Sequence, residues 1–535
     1  MRKIKTYFPF TFFLFIFLLV SCSSPTSTPK GNLTGVVHLE SLSDHSSIIV
    51  ALYDLAELDP EIVSINSQYP HIGVIITQHT EFDHRLQSPV KYTETDAEGY
   101  FEIKKIPTGI YNIVALKDSF GFKYLYEFEI EKGENQLTPQ SSSRRGEELT
   151  PRPPLFSSIE GEIKNKDGEI PLFKGEQKGV NPENRTSDLT LYPETTYSGV
   201  ITENLTFETD HHYIIDDDTD VLSSYSLTIQ PGAVIRINPG VDFRILGTIT
   251  AQGEENNMFW VTTNAGFLES LMPNVQDSLA IYNSLELSSI ATVENDLIEW
   301  GKFDYASTSL LNQVNNLHIQ NGIFRDAGCG FKSTNVDSIF CYNSVFLNNT
   351  EKGIYFIDHL NGKIQNNVLI NNCNACEIKH RFCGSIINNY IDKNEIGCKL
   401  WSFHGSIEHN IINQNMFSDI WITGNNDNIT ETINVIFNNF SSNTGIYLKA
   451  MNSYGYLSPI IINNNNFRND EFFISYCSVM LDGLLDARYN FFNNIIYVND
   501  ILERIIDNWY DPEINHESII IEPFNFNPIL NAGII

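Results

Sequence analysis

The sequence is short of charge, and shorter still of positive charge. Only 19% of its 535 residues are Asp, Glu, Lys or Arg, against roughly 25% in ordinary soluble domains. Its 34 Lys and Arg stand against 66 Asp and Glu, so the formal charge is 34 − 66 = −32. Such a chain repels phosphate, which disfavours nucleic acid or an anionic membrane surface as its main partner, and no nucleic acid is expected. Long apolar runs are also scarce: after residue 22 none approaches the ~18 residues of a membrane helix. Cysteine is sparse and late. Apart from Cys22 there are Cys329, Cys341, Cys373, Cys376, Cys383, Cys398 and Cys477, an odd set that excludes a small disulfide-framed module. Cys373 and Cys376 have CxxC spacing without a second pair or a βαβ pattern, so they read as buried thiols. No metal or cofactor is expected. What the chain does have is 42% hydrophobic and 12% aromatic residues, enough for sizeable cores, which excludes wholesale disorder.

Residues 1–22 read as an export signal: Arg2, Lys3 and Lys5 lead a nearly unbroken apolar run, and small residues follow at once. Leu19-Val20-Ser21-Cys22 resembles a bacterial lipobox. The resemblance implies cleavage before Cys22, lipidation of its sulfur and a membrane partner reached through that lipid. Two or three acyl chains at ~0.8 kcal/mol per CH₂ make a durable anchor. Residues 23–30, rich in Ser, Thr and Pro, form a tether. Ser23 in place of Asp fits sorting to an outer membrane, so the expected location is the cell envelope, at the outer membrane or cell surface.

Residues 31–133 alternate apolar and polar positions between turn signals, and read as short strands near 33–39, 48–52, 100–103, 111–116 and 123–130. Thr95-Asp96-Ala97-Glu98-Gly99-Tyr100-Phe101 and Ile106-Pro107-Thr108-Gly109-Ile110-Tyr111, with Gly35-Val36-Val37, resemble the carboxypeptidase regulatory-like (transthyretin-like) domain. That resemblance implies a β-sandwich serving as spacer or docking module. Residues 59–87 are an irregular insertion, and His38, His45, His71, His79 and His84 lack metal-ligand spacing and read as surface residues. Residues 134–190 read as a linker with one strand at 159–163.

Residues 191–535 carry a period. Asn followed at two residues by an apolar or aromatic residue recurs at Asn321, Asn343, Asn366, Asn388, Asn410, Asn438, Asn465 and Asn490, with gaps of 22, 23, 22, 22, 28, 27 and 25. About 22 residues suits one three-strand coil of a parallel β-helix. Coils stacked at ~4.8 Å place equivalent Asn side chains one above another, as an amide ladder. The Leu227–Ala251 stretch with Pro231-Gly232-Ala233 and the Asn-rich coils resemble the pectin-lyase-like right-handed parallel β-helix. The expected fold is all-β: a small β-sandwich followed by a right-handed single-stranded parallel β-helix of roughly ten to thirteen coils, roughly 50–60 Å long.

The strand about ten residues after each Asn supplies the candidate site. Its inward residues stack as Ile354, Cys376, Cys398, Ile420 and Ile446. Its outward residues form two columns, Tyr355-Glu377-Lys399-Trp421-Tyr447 and Ile357-Lys379-Trp401-Thr423-Lys449. Rings stack on sugar faces while Lys and Glu bond hydroxyls or carboxylates, so Tyr355, Glu377, Lys379, Lys399, Trp401, Trp421, Tyr447 and Lys449 are the glycan-binding candidates. The expected function is non-catalytic: carbohydrate binding, or an interaction scaffold facing a polysaccharide or surface protein. The alternative is a polysaccharide lyase acting on a uronate-containing glycan. Glu377-Ile378-Lys379 is similar to the Glu-x-x-Lys of β-helix lyases with the Lys one residue early, which implies Lys379 as base with Arg381 or His404 beside it. Gly-His-Gly and Arg-x-Lys, expected of a polygalacturonase-type hydrolase, are missing. Asp216-Asp217-Asp218-Thr219-Asp220 lacks the Gly and Glu of an EF-hand and reads as an acidic turn.

Overall fold

The computed structural model describes residues 28–137, 189–266, 280–358, 361–380, 382–423, 432–442, 444–449, 460–468, 472–477, 485–492, 505–507, 519–520, 524–525, 527–530 and 532–534. The signal segment with Cys22, most of the tether, the strand expected at 159–163 and Arg381 lie outside the described residues. The described residues are nearly all β, 57% strand and 4% helix. A small two-sheet module comes first and a right-handed parallel β-solenoid of about 11 turns follows.

In the module, alternation decides which side chains meet. Lys30–Val36 buries every second residue, and pairs with Tyr100–Pro107 and Gly133–Gln136 in a three-stranded sheet. The four-stranded sheet holds Lys91–Glu94, Ile49–Tyr53, Gly109–Lys117 and Gly121–Ile130. Leu33, Val50, Phe101 and Ile113 fill the space between, joined by Leu189 and Leu191 from the returning chain.

Each solenoid coil has three faces. In a representative coil Ser338–Tyr342 lies on the first, Val345–Leu347 on the second and Lys352–Ile357 on the third. Thirteen first-face strands form one parallel sheet. The register keeps like residues stacked: Ile364, Ile386, Ile407, Val435 and Ile462 follow one another up this face. On the second face Phe303, Phe324 and Phe346 are in register, their centroids 4.7 and 5.0 Å apart and their planes within 6° of parallel.

The asparagines solve the corner problem, though not as a single stack. Asn367, Asn389, Asn410, Asn438, Asn465 and Asn490 are fully buried. The side-chain amide of each of the first five donates to the next Asn oxygen at 2.9–3.1 Å. Asn321, Asn343, Asn366 and Asn388 belong to the column just before the ladder, with φ between 47° and 61°. His409, Phe437, Asn464 and Tyr489 continue that left-handed column. The eight-residue series read from the sequence therefore slips by one position. The cause is one shorter corner: two residues separate Lys379 from Phe382, whereas Ser402 alone separates Trp401 from Phe403. A second ladder, Asn349-Asn372-Asn394-Asn415, runs along the corner between the second and third faces.

The insertion at 59–87 is the most ordered surprise. Asp59 caps helix α1 (Pro60–Gln68) by accepting from the Glu61 and Ile62 amides. Ile62 and Ile65 of α1, with Ile72, Val74 and Ile76, pack on Ile323, Val345, Leu347, Val368 and Ile370, all second-face residues. Gly73 donates its amide to the Asn366 carbonyl at 2.7 Å. Its φ is +67°, and a Cβ there would lie 2.8 Å from Val368. His84, expected at the surface, is instead buried beside Tyr124 at 2.7 Å, and desolvation pulls its pKa down to about 4. The same residues that break the sandwich pattern thus form the joint between module and solenoid.

The joint carries a carboxyl pair. Asp392 on the second face is buried beside Glu61, which also pairs with Lys393. Burial first, and then the Glu61 carboxylate, raise the Asp392 pKa above its ordinary 3.8. A carboxyl with a higher pKa folded than unfolded stabilises the folded form at acid pH and loses that contribution as pH climbs past the ordinary value. Docking of α1 is therefore expected to loosen from pH 5 to pH 9, read as faster amide exchange after correction for intrinsic rates. In Asp392→Asn the dependence should flatten; a profile equally steep in the variant would acquit this carboxyl.

Candidate functional site

Third-face strands Lys352–Ile357, Asn374–Lys379, Ile396–Trp401, Ser418–Thr423 and Thr444–Lys449 stack in parallel. Their inward residues, Ile354, Cys376, Cys398, Ile420 and Ile446, are buried in register as expected. Cys376 and Cys398 are neighbours and both are free thiols, and burial pushes the Cys398 thiol up to about 12. The outward columns also fall in register: Tyr355, Glu377, Lys399, Trp421 and Tyr447 in one, Trp401, Thr423 and Lys449 in the other. Lys332 extends the first column by one coil. The side chain of Lys449 lies outside the described residues.

These side chains are packed together rather than splayed. Glu377 is only 3% exposed. Asn374 donates to its carboxylate at 2.9 Å. The ammonium groups of Lys379, Lys352 and Lys399 converge on it at 3.1, 3.9 and 3.9 Å. Glu351 also stands 3.5 Å from Lys352, so three positive charges meet two negative ones and the cluster is net positive in a chain whose net charge is −32. The rings complete the strip. Lys352 and Lys379 sit 4.5 and 5.1 Å from the Tyr355 ring, and Lys379 and Lys399 sit 5.4 and 5.9 Å from Trp401. Trp421 meets Tyr447 edge to face at 4.6 Å, and its indole N–H donates to Thr423. Cation–π contacts of this kind are worth about 0.5–2 kcal/mol each and hold the ammonium heads in place.

The sequence assigned Glu377 to a ligand, whereas its oxygens are occupied by Asn374 and the three lysines. It missed Lys352 because that residue shares the parity of buried Ile354. As the first residue of its strand it escapes inward, and its side chain is 17% exposed. Strict alternation fails at strand ends; a count of lysines per coil would have flagged it.

Lyase chemistry finds little footing. Burial works against the charge on Lys379, but hydrogen bonds to Tyr355 and Glu377 and the Glu377 charge outweigh it and hold the pKa above the ordinary lysine value. A base that must take a proton at neutral pH needs the opposite shift. His404 lies on a first-face strand, Phe403–Glu408, around the corner from Lys379. The acidic run at 216–220 is not a turn: it lies within the strand His212–Val221, with Asp216 accepting from Asn238 and Asp220 paired to Arg244, both at 2.6 Å.

No protein-family model, no curated protein and no solved structure matches the chain.

Proposed function

We propose that this chain is a lipid-anchored envelope protein that holds a glycan along the third face of its β-helix without turning it over. The lipobox-like Leu19-Val20-Ser21-Cys22 supports the anchor, and the resemblances to carboxypeptidase regulatory-like and pectin-lyase-like domains support a docking module carrying a carbohydrate-facing solenoid. One observation carries the reading: Lys352, Lys379 and Lys399 converge between the rings of Tyr355, Trp401 and Trp421, on strands spaced at the ~4.8 Å stacking distance. A sugar ring laid on indole gains dispersion and CH–π contact, and ammonium heads already held in place lose little entropy on binding hydroxyls or carboxylates.

The test is binding of the mature protein to a panel of immobilised neutral and acidic polysaccharides. Trp401→Ala with Trp421→Ala is expected to weaken the best binder tenfold or more, about 1.4 kcal/mol, in a variant that still unfolds cooperatively. Undiminished binding in that double variant, or no binding across the panel, would leave the strip a packed structural face and the rod a scaffold.

A further inference from the structure

A second concave site lies where the module meets the early coils, away from the third-face strip. His79, Tyr124 and Tyr126 line it from the module, and Asn256, Trp260 and Lys302 from the solenoid, around a half-open cleft of about 120 Å³. Clefts between packed units are a usual place for small ligands. Phe82, Val234 and Met258 form an apolar wall, and the Tyr126 ring is backed by His79 at 4.1 Å.

Lys302 makes the cleft more than a packing gap. Its side chain is only 5% exposed, yet among the described residues its ammonium has no hydrogen-bond acceptor. The closest carboxylate oxygen, of Asp304, stands 3.9 Å away and already accepts from the Trp260 indole at 2.9 Å. The remaining contact is the Trp260 ring face, 4.3 Å from the nitrogen. The neighbouring charges are matched elsewhere: Arg85 with Asp83 at 2.7 Å, Arg325 with Glu81 at 2.6 Å, and Lys123 with Asp210 at 3.0 Å on the rim. A buried ammonium with three unspent donors is costly unless an acceptor fills the space before it. Burial, then the Arg325 charge, depress its pKa to about 8, against the opposing pull of Asp304, Asp83 and Glu81.

We propose that this cleft binds a small monocarboxylate with a ring or hydrocarbon body, its carboxylate on Lys302 Nζ and its body against the apolar wall. A carboxylate supplies short, charge-assisted bonds to the idle donors, which Asp304 at 3.9 Å does not reach. A phosphate dianion would bring a second charge with no cation left to meet it.

The probes are benzoate and galacturonate, with benzyl alcohol and galactose as neutral counterparts, titrated into the full chain at pH 7 and followed by tryptophan fluorescence. At least one acid is expected to bind saturably while its neutral counterpart does not. Affinity should fall about tenfold per unit above pH 8 and at least tenfold in Lys302→Met. Because that variant removes a buried charge, a second measurement uses the native protein. An amine-reactive ester at pH 8 should acylate Lys302, and the acid that binds, not its neutral counterpart, should protect it. The proposal is overturned if neither acid binds, if binding survives in a Lys302→Met protein that melts normally, or if the acid leaves labelling of Lys302 unchanged.

Discussion

Asn410→Ala is expected to destabilise the solenoid by about 3 kcal/mol or more, whereas Asn366→Gly should change its stability by less than about 0.5 kcal/mol. The two residues look alike in sequence and occupy different columns. Asn410 is fully buried and spends every polar atom. Its oxygen accepts from the backbone and side-chain amides of Asn389 at 2.9 Å each. Its nitrogen donates to Asn438, Ile386 and Glu408, all at 2.9 Å. Truncation therefore strands donors and acceptors on three successive coils, and each buried group left without a partner costs about 1–3 kcal/mol. Asn366 is half-buried, and its main requirement is φ +58°, which glycine meets freely. Its side-chain oxygen accepts from Asn388 at 2.8 Å at the edge of the stack, and a bond near solvent is readily replaced by water. Chemical denaturation of both variants reads the difference directly. Equal losses would mean that the two columns are interchangeable and that the interior ladder is not what holds the corners.

That contrast also marks where sequence reasoning reached and where it stopped. The solenoid was legible because period 2 and a ~22-residue repeat are properties of the string itself. The register of the third-face columns followed from counting, since a strand of fixed length begins at a fixed offset from each corner. A one-residue deletion at a corner is invisible to such counting, because both flanking residues are Asn: Asn388-Asn389 offers two equally good partners for Asn410. The joint was illegible for another reason. Ile62, Ile65 and Ile72 are apolar at helical and loop positions with no partner nearby in sequence, and their partners lie some 250 to 300 residues on. Lys302 likewise gives no local sign of burial; it occupies an outward-facing strand position that the module covers. Local patterns report local geometry, and surfaces created by docking belong to neither pattern.

Arg85→Met is expected to open that joint, at about 3–5 kcal/mol, the cost of breaking a buried ion pair from one side. Arg85 is 1% exposed and grips Asp83, itself fully buried, with Nε at 3.0 Å and Nη2 at 2.7 Å. Across the joint it donates to the Thr263 and Ala265 carbonyls at 2.9 and 3.2 Å and to the Thr262 hydroxyl at 3.0 Å, while its guanidinium lies over Trp260 and Tyr305. Burial alone would favour a protonated Asp83, but the Arg85 charge and hydrogen bonds outweigh it and hold the carboxyl well below the usual carboxylate range. Methionine fills the volume and leaves that carboxylate without its counter-charge, so the module must either protonate Asp83 or move away from the solenoid. Amide exchange should then accelerate together in α1 and in the second-face strands it covers, while the far coils stay protected. Asp83→Leu added to Arg85→Met should recover more than half of the loss, since it removes the stranded charge along with its partner. A single variant that loses less than about 1 kcal/mol, with unaltered exchange in α1, would mean the module is held by its apolar contacts alone and that the ion pair merely fills the gap between them.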